Sequence, residues 1–260
     1  MVIGPEAQPS DVIQTAEERI KVAIHPEYPE QTITIGSTII EEGRMALCEL
    51  LRRNLDIFAW KPEDMIGVPR YLAEHCLNVR EGCLPVRQKK RSQAPERNKA
   101  IQEEVGKLVD ACIMKEVHYH RCLSNLVMVK KHDNSWRMCV DFKDPNKACP
   151  KDRYPLPKID WKVQSLCGYP FKCFLDAYKG YHQIKMAKDD EDKTTFITSQ
   201  GIFCYSKRRF GLKNARATYQ RLVDKAFQKQ IGRNLEVYVD DLVIKSRTEQ
   251  DIMRDIEEIF

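Results

Sequence analysis

Two adjacent aspartates inside an apolar string, EVYVDDLVIK (residues 236–245), constrain this chain more than any other stretch. Unpaired carboxylates are costly among apolar neighbours, and adjacent ones repel each other. A β-hairpin resolves the conflict by placing Asp240 and Asp241 at its tip. Its arms then bury Val237, Tyr238, Val239, Leu242, Val243 and Ile244. Such a tip clusters the oxygen donors that hard divalent cations take. An ordinary turn is the competing reading, since Asp is a common turn residue. The rest of the chain has to decide between them.

A second acid comes from FKCFLDAYKGYHQIKM (171–186). Phe171, Cys173 and Leu175 alternate with Lys172, Phe174 and Asp176, which predicts a strand ending in a carboxylate. If that strand shares a sheet with the hairpin, Asp176, Asp240 and Asp241 converge. Upstream, LVMVK (126–130) and WRMCVDF (136–142) read as two strands around an HDNS turn, with Lys130, Lys131 and Arg137 near the tip. Amphipathic helices are expected over 41–58, 96–115 and 212–230, a short one over 159–166, and another from 249.

Charge divides the chain. Residues 1–80 carry 8 basic and 13 acidic side chains, and 81–260 carry 35 and 25. The basic part holds the hairpin, and its positive field favours a polyanion such as nucleic acid. Ten cysteines occur without a C-x-x-C pair, which argues against a zinc finger. The first residues, MVIGPEAQPSD, do not read as a signal peptide. No apolar run reaches the length of a membrane span, so no membrane partner is expected. Reduced cysteines in an intracellular protein are the expectation. Residues 1–80 read as an acidic N-terminal extension and 81–260 as the main domain.

The order of motifs is more specific than any one of them. LVMVKK (126–131), WRMCVDFKDPNKACPKDRYPLP (136–157), FLDAYKGYHQIKM (174–186), KTTFITSQGIFCYSKRRFGLKNARATYQR (193–221) and EVYVDDLVIKS (236–246) resemble a reverse transcriptase of Ty3/Gypsy-type long-terminal-repeat retrotransposons. The resemblance runs over about 80–247 and more loosely over 40–80. It implies an α+β, right-hand polymerase with an antiparallel palm sheet packed on helices. Fingers fall at about 90–170 and 187–212, and palm at about 171–186 and 213–250, with no thumb expected in this sequence.

The resemblance also implies an activity: addition of dNTPs to a primer 3′ end on an RNA or DNA template by two-metal nucleotidyl transfer. Two Mg²⁺ ions, with Mn²⁺ as a substitute, would be held by Asp176, Asp240 and Asp241. Asp176 and Asp240 take the direct metal roles. Lys130 and Arg137 match residues that contact the incoming triphosphate. Tyr181 matches the aromatic under the nucleotide sugar. Phe210 and Gly211 match the lining of the nucleotide pocket. Gln220 is placed as a supporting substrate-site residue, and Tyr238 near the primer end. Polyprotein neighbours or a second copy are the other implied partners, in a cytoplasmic particle or the nucleus.

The chain departs from the family at Arg209, where a proline is usual, and at Arg216, where a glycine or proline is usual. Cys122 replaces a frequent Trp, and ACIM (111–114) replaces AG(F/I)I. An arginine at 216 is expected either to crowd the nucleotide site or to point outward. These departures keep a second class open, a non-catalytic nucleic-acid-binding remnant of such a polymerase.

Overall fold

A computed structural model describes residues 19–61, 64–132 and 134–260. Residues 1–18, residues 62–63 and the Asp133 position of the HDNS turn lie outside the described residues. The chain forms two compact units, Met1–Ile57 and Phe58–Phe260.

In the first unit, β1 (Arg19–Ala23) and β2 (Thr32–Gly36) pair as an antiparallel hairpin, followed by α1 (Glu41–Arg53). α1 stops before the 58 expected from periodicity. Asn54 ends it by turning its side-chain amide onto the Leu50 carbonyl, 2.9 Å away. A single 3₁₀ turn, Leu55–Ile57, follows.

The second unit begins at Phe58, well before the composition change at 81. Residues 58–80, which composition assigns to the acidic extension, are built into it. β3 (Glu74–His75) adds in parallel to a later strand, His75 and Leu77 have no exposed surface, and Val68 N–H donates to the Gln183 carbonyl. The Leu77 N–H is capped by the Asp190 carboxylate at 2.6 Å. These contacts are long-range, so local composition could not show them.

Next come α2 (Pro95–Asp110), β4 (Met114–Glu116) and the antiparallel ribbon β5 (Leu126–Lys130) and β6 (Trp136–Val140). α2 ends early because Cys112 enters the left-handed region (φ 52°), and the Ile113 N–H returns to the Leu108 carbonyl. Two short helices follow, α3 (Lys143–Ala148) and α4 (Ile159–Ser165). Then come β7 (Phe171–Asp176), α5 (Gly180–Gln183), β8 (Lys185–Met186, the partner of β3), α6 (Lys188–Glu191), β9 (Phe196–Ile197) and β10 (Ile202–Tyr205). The chain closes with α7 (Ala215–Ala226), β11 (Leu235–Tyr238), β12 (Asp241–Ser246) and α8 (Glu249–Ile259).

One apolar core joins α2, β4, the β5–β6 ribbon and β9–β10 through Ile101, Val105, Leu126, Met138, Phe196 and Tyr205. A separate three-stranded antiparallel sheet, in the order β11-β12-β7, carries the acids. Its inner face is Leu235, Val237, Leu242 and Ile244, all buried. α8 is tied to this sheet by Ser246 and Asn234, whose side chains both bond Asp255.

Candidate active site

The three acids come together through strand register. Asp241 opens β12 directly opposite Asp176 at the end of β7, and opposite Tyr238 at the end of β11. Directly paired residues project from the same face, with Cβ atoms about 5 Å apart. Asp176, Asp241 and Tyr238 therefore share one face. Asp240 lies in the two-residue turn between β11 and β12, and its carbonyl accepts the Ala177 N–H at 3.2 Å. Asp176 and Asp241 are exposed, and Asp240 is half-buried.

That turn is strained. Val239 has φ 58°, a left-handed conformation unfavourable for a β-branched side chain. A positive φ at the first turn residue alone is the type II′ pattern, which glycine normally serves. Gln220, on α7, compensates. Its side-chain carbonyl accepts the Val239 N–H at 2.9 Å, and its amide donates to Asp224 at 2.9 Å. Asp224 in turn accepts the Tyr154 hydroxyl at 2.6 Å. Gln220 is 2% exposed, so it braces the hairpin tip from below and cannot meet a substrate.

Asp241 feels its neighbours. Partial burial raises its pKa, and the Asp240 and Asp176 charges raise it further. Among the described residues, no three His, Cys, Asp or Glu side chains are closed around one point to hold a metal ion. The donor set itself, three hard oxygen ligands on adjoining backbone positions, fits a divalent cation such as Mg²⁺.

Beside the acids is a cavity of about 820 Å³ walled by Tyr181, Phe210, Gly211 and Arg216, with Lys151 and Arg153 at its edge. Tyr181 is half-buried. Its ring stacks on Tyr219 at 5.8 Å and meets the Phe210 edge at 5.9 Å. Burial raises the pKa of Tyr181, and Asp240 adds to the shift; the Arg208 and Arg216 charges oppose it. Burial pushes Tyr219 up to about 12, again with Asp240 contributing. Both phenols are thus neutral neighbours of the acid tip. Gly180 permits this packing, because a Cβ there would sit 2.8 Å from the Tyr219 hydroxyl.

The cavity mouth is set by two interlocked loops. Asn146 donates to the Gly211 carbonyl at 2.8 Å and accepts the Lys213 N–H at 2.7 Å. Asn214, itself left-handed (φ 64°), accepts the Asp152 N–H and donates to the Pro150 carbonyl. Gly211 has φ 97°, which suits glycine at this bend.

The fingers-side lysine and arginine behave differently from expectation. Lys130 pairs with Trp136 and Arg137 with Val129, so the pleat sends them to opposite faces of the ribbon. Lys130 Nζ rests 5.9 Å from the Trp136 ring centroid. Both side chains are exposed, and neither lines the cavity. Arg209 turns toward β6, bonds the Met138 carbonyl and lies 5.5 Å from the Tyr205 ring centroid. It does not wall the cavity, whereas Arg216 does. Sequence reasoning missed Arg208, which is wholly buried against the stacked pair Tyr181 and Tyr219. The only signal was a third basic residue in SKRRFG.

A three-stranded antiparallel sheet with acids at one end, beside a helix-and-ribbon layer, is the fingers-and-palm arrangement of a right-hand polymerase. Solved foamy viral protease–reverse transcriptases share it. One in complex with RNA/DNA hybrid superposes with a TM-score of 0.73 at 20% identity, covering 85% of this chain and 29% of that one. Another, in complex with dsDNA, gives 0.72 at 20% identity, covering 85% and 45%.

The chain belongs to the reverse transcriptase family, in its Gypsy-like retrotransposon branch. The family described as reverse transcriptase (RNA-dependent DNA polymerase) matches residues 129–260. An RNA-directed DNA polymerase homolog of Oenothera berteroana is 37% identical over 110 residues, 42% of this chain and 78% of that protein. The Pol polyprotein of transposon gypsy of Drosophila melanogaster is 38% identical over 124 residues, 48% of this chain and 12% of the polyprotein. That of transposon 412 from the same organism is 30% identical over 211 residues, 79% and 17%. The chain thus spans less than a fifth of these two polyproteins.

Proposed function

We propose that this chain is the fingers-and-palm part of an RNA-directed DNA polymerase, adding dNTPs to a primer 3′ end at Asp176, Asp240 and Asp241. The observation that carries this reading is the direct register of Asp241 with Asp176, next to the turn that holds Asp240. Family membership implies dependence on a divalent metal. Two bound Mg²⁺ ions would acidify the primer 3′-hydroxyl and offset charge on the leaving pyrophosphate.

The chain's own residues supply the rest. Asp176 and Asp240 bind the ions directly, and Asp241 adds charge to the tip. Tyr181 and Phe210 form the floor on which the nucleotide sugar and base rest. Arg216, Lys151 and Arg153 give the cavity the positive edge that a triphosphate needs. A second cavity, of about 740 Å³, shares Lys151 and Arg153 with the first and adds Arg221 and Lys225. Asp152 lines both cavities and pairs with Arg221, so Lys151, Arg153, Arg216 and Lys225 are the cations offered to a template backbone. Tyr238, on the acid face, lies where a primer end would meet Asp241. Lys130 would serve the triphosphate from one face of the exposed ribbon, and Arg137 lies on the opposite face. All ten cysteines are unpaired, which suits a reducing compartment for the polymerase or its particle.

A non-catalytic nucleic-acid binder is the second reading, favoured by Arg216 projecting into the cavity wall. Primer extension by the full chain on poly(rA)/oligo(dT) with Mg²⁺ separates the two. Template-dependent incorporation of dTTP is expected. Tight binding of primer–template with no incorporation would establish the binder instead.

A further inference from the structure

We propose that Arg208 is a positioning residue, whose buried guanidinium holds the Tyr181 ring against the cavity and so sets the choice between deoxyribose and ribose nucleotides. The inference deepens the nucleotide-pocket reading and rests on it.

Arg208 has no exposed surface. Its guanidinium carbon lies 4.1 Å from the Tyr181 ring centroid and 5.6 Å from that of Tyr219. Nη1 donates to the Ala215 carbonyl, while Nε and Nη2 have no hydrogen-bond partner. Burial lowers its pKa to about 10, so the side chain is still a cation at neutral pH. A buried cation with unmet donors costs stability, and an apolar side chain of similar volume would fill the space at lower cost. The position therefore calls for a reason beyond filling.

The contacts supply one. Tyr181 is fixed on one side by stacking on Tyr219, which is itself held against Gly180. Its Phe210 neighbour is 67% exposed and so has little packed behind it. The flat guanidinium is the support that keeps the ring from receding, since a planar cation stacks on an aromatic face as an ammonium cannot. A ring in a pocket wall rejects a 2′-hydroxyl only while it holds its place. Having no surface, Arg208 cannot touch the nucleotide and acts through Tyr181 alone.

The test compares the full-length chain with Arg208→Met and Arg208→Lys. Three quantities are read: the dTTP to ribo-TTP ratio of kcat/KM in primer extension, the ribo-TTP to dTTP ratio of Kd with primer–template, and nitration of Tyr181 by tetranitromethane. In Arg208→Met both ratios are expected to fall about tenfold, the scale of one lost contact in a pocket. Nitration of Tyr181 should rise and the melting temperature should not fall. Arg208→Lys should lie between. Unchanged ratios or unchanged nitration in Arg208→Met would overturn the proposal. If no form extends primer but nitration and the Kd ratio respond, the polymerase reading fails and the clamp stands.

Discussion

Asp240→Asn and Asp176→Asn should each lower single-turnover primer extension at least about a thousandfold, with the fold intact. Asparagine keeps the volume and the turn geometry but removes the charge a divalent cation needs. The backbone bond between Ala177 N–H and the Asp240 carbonyl is untouched by the change, so the hairpin should hold. Asp241→Asn should cost less, about tenfold, because that carboxylate already carries the burden of two like charges, which a neutral side chain relieves. Extension rates from rapid quench, beside circular dichroism melts, give the comparison. An Asp240→Asn protein retaining a tenth of the rate would remove Asp240 from the chemistry.

The second large effect is expected at a residue that never meets substrate. Gln220→Leu should cost about 1–3 kcal/mol of stability by orphaning a buried N–H. It should also lower kcat about a hundredfold by letting the acid tip move. The Val239 conformation stores strain of about 1–3 kcal/mol, and the Gln220 bond is what holds it. Tyr154→Phe removes only the outer link of the same chain, the bond to Asp224, and should cost much less. Chemical denaturation and single-turnover rates measure both. Full activity in Gln220→Leu would mean the tip is fixed by its strands alone.

Much of this site was legible in the chain itself, because its determinants are local. The alternation of Phe171, Cys173 and Leu175 specified which face of β7 is buried, and therefore which face carries Asp176. The YVDD turn could be read from two acids among apolar residues. What escaped were features made by distant contacts. The segment before Arg80 reads as part of an acidic extension, yet it is anchored by Asp190 and by pairing with β8. Gln220 reads as one polar residue on an amphipathic helix, and nothing nearby in sequence reveals its bond to Val239. Lys130 and Arg137 look adjacent at a ribbon tip, but pairing register, not proximity, decides their faces. Arg208 reads as one more surface charge, and only the folded arrangement shows it buried against two stacked rings.

The most direct test is Mn²⁺ binding by the full chain, followed by electron paramagnetic resonance, in the unsubstituted protein and in Asp176→Asn and Asp240→Asn. Saturable binding in the first, lost in both variants while Arg216→Ala retains it, is the expected result. Equal Mn²⁺ affinity in all of them would contradict a metal site built from carboxylates on β7 and the β11–β12 turn.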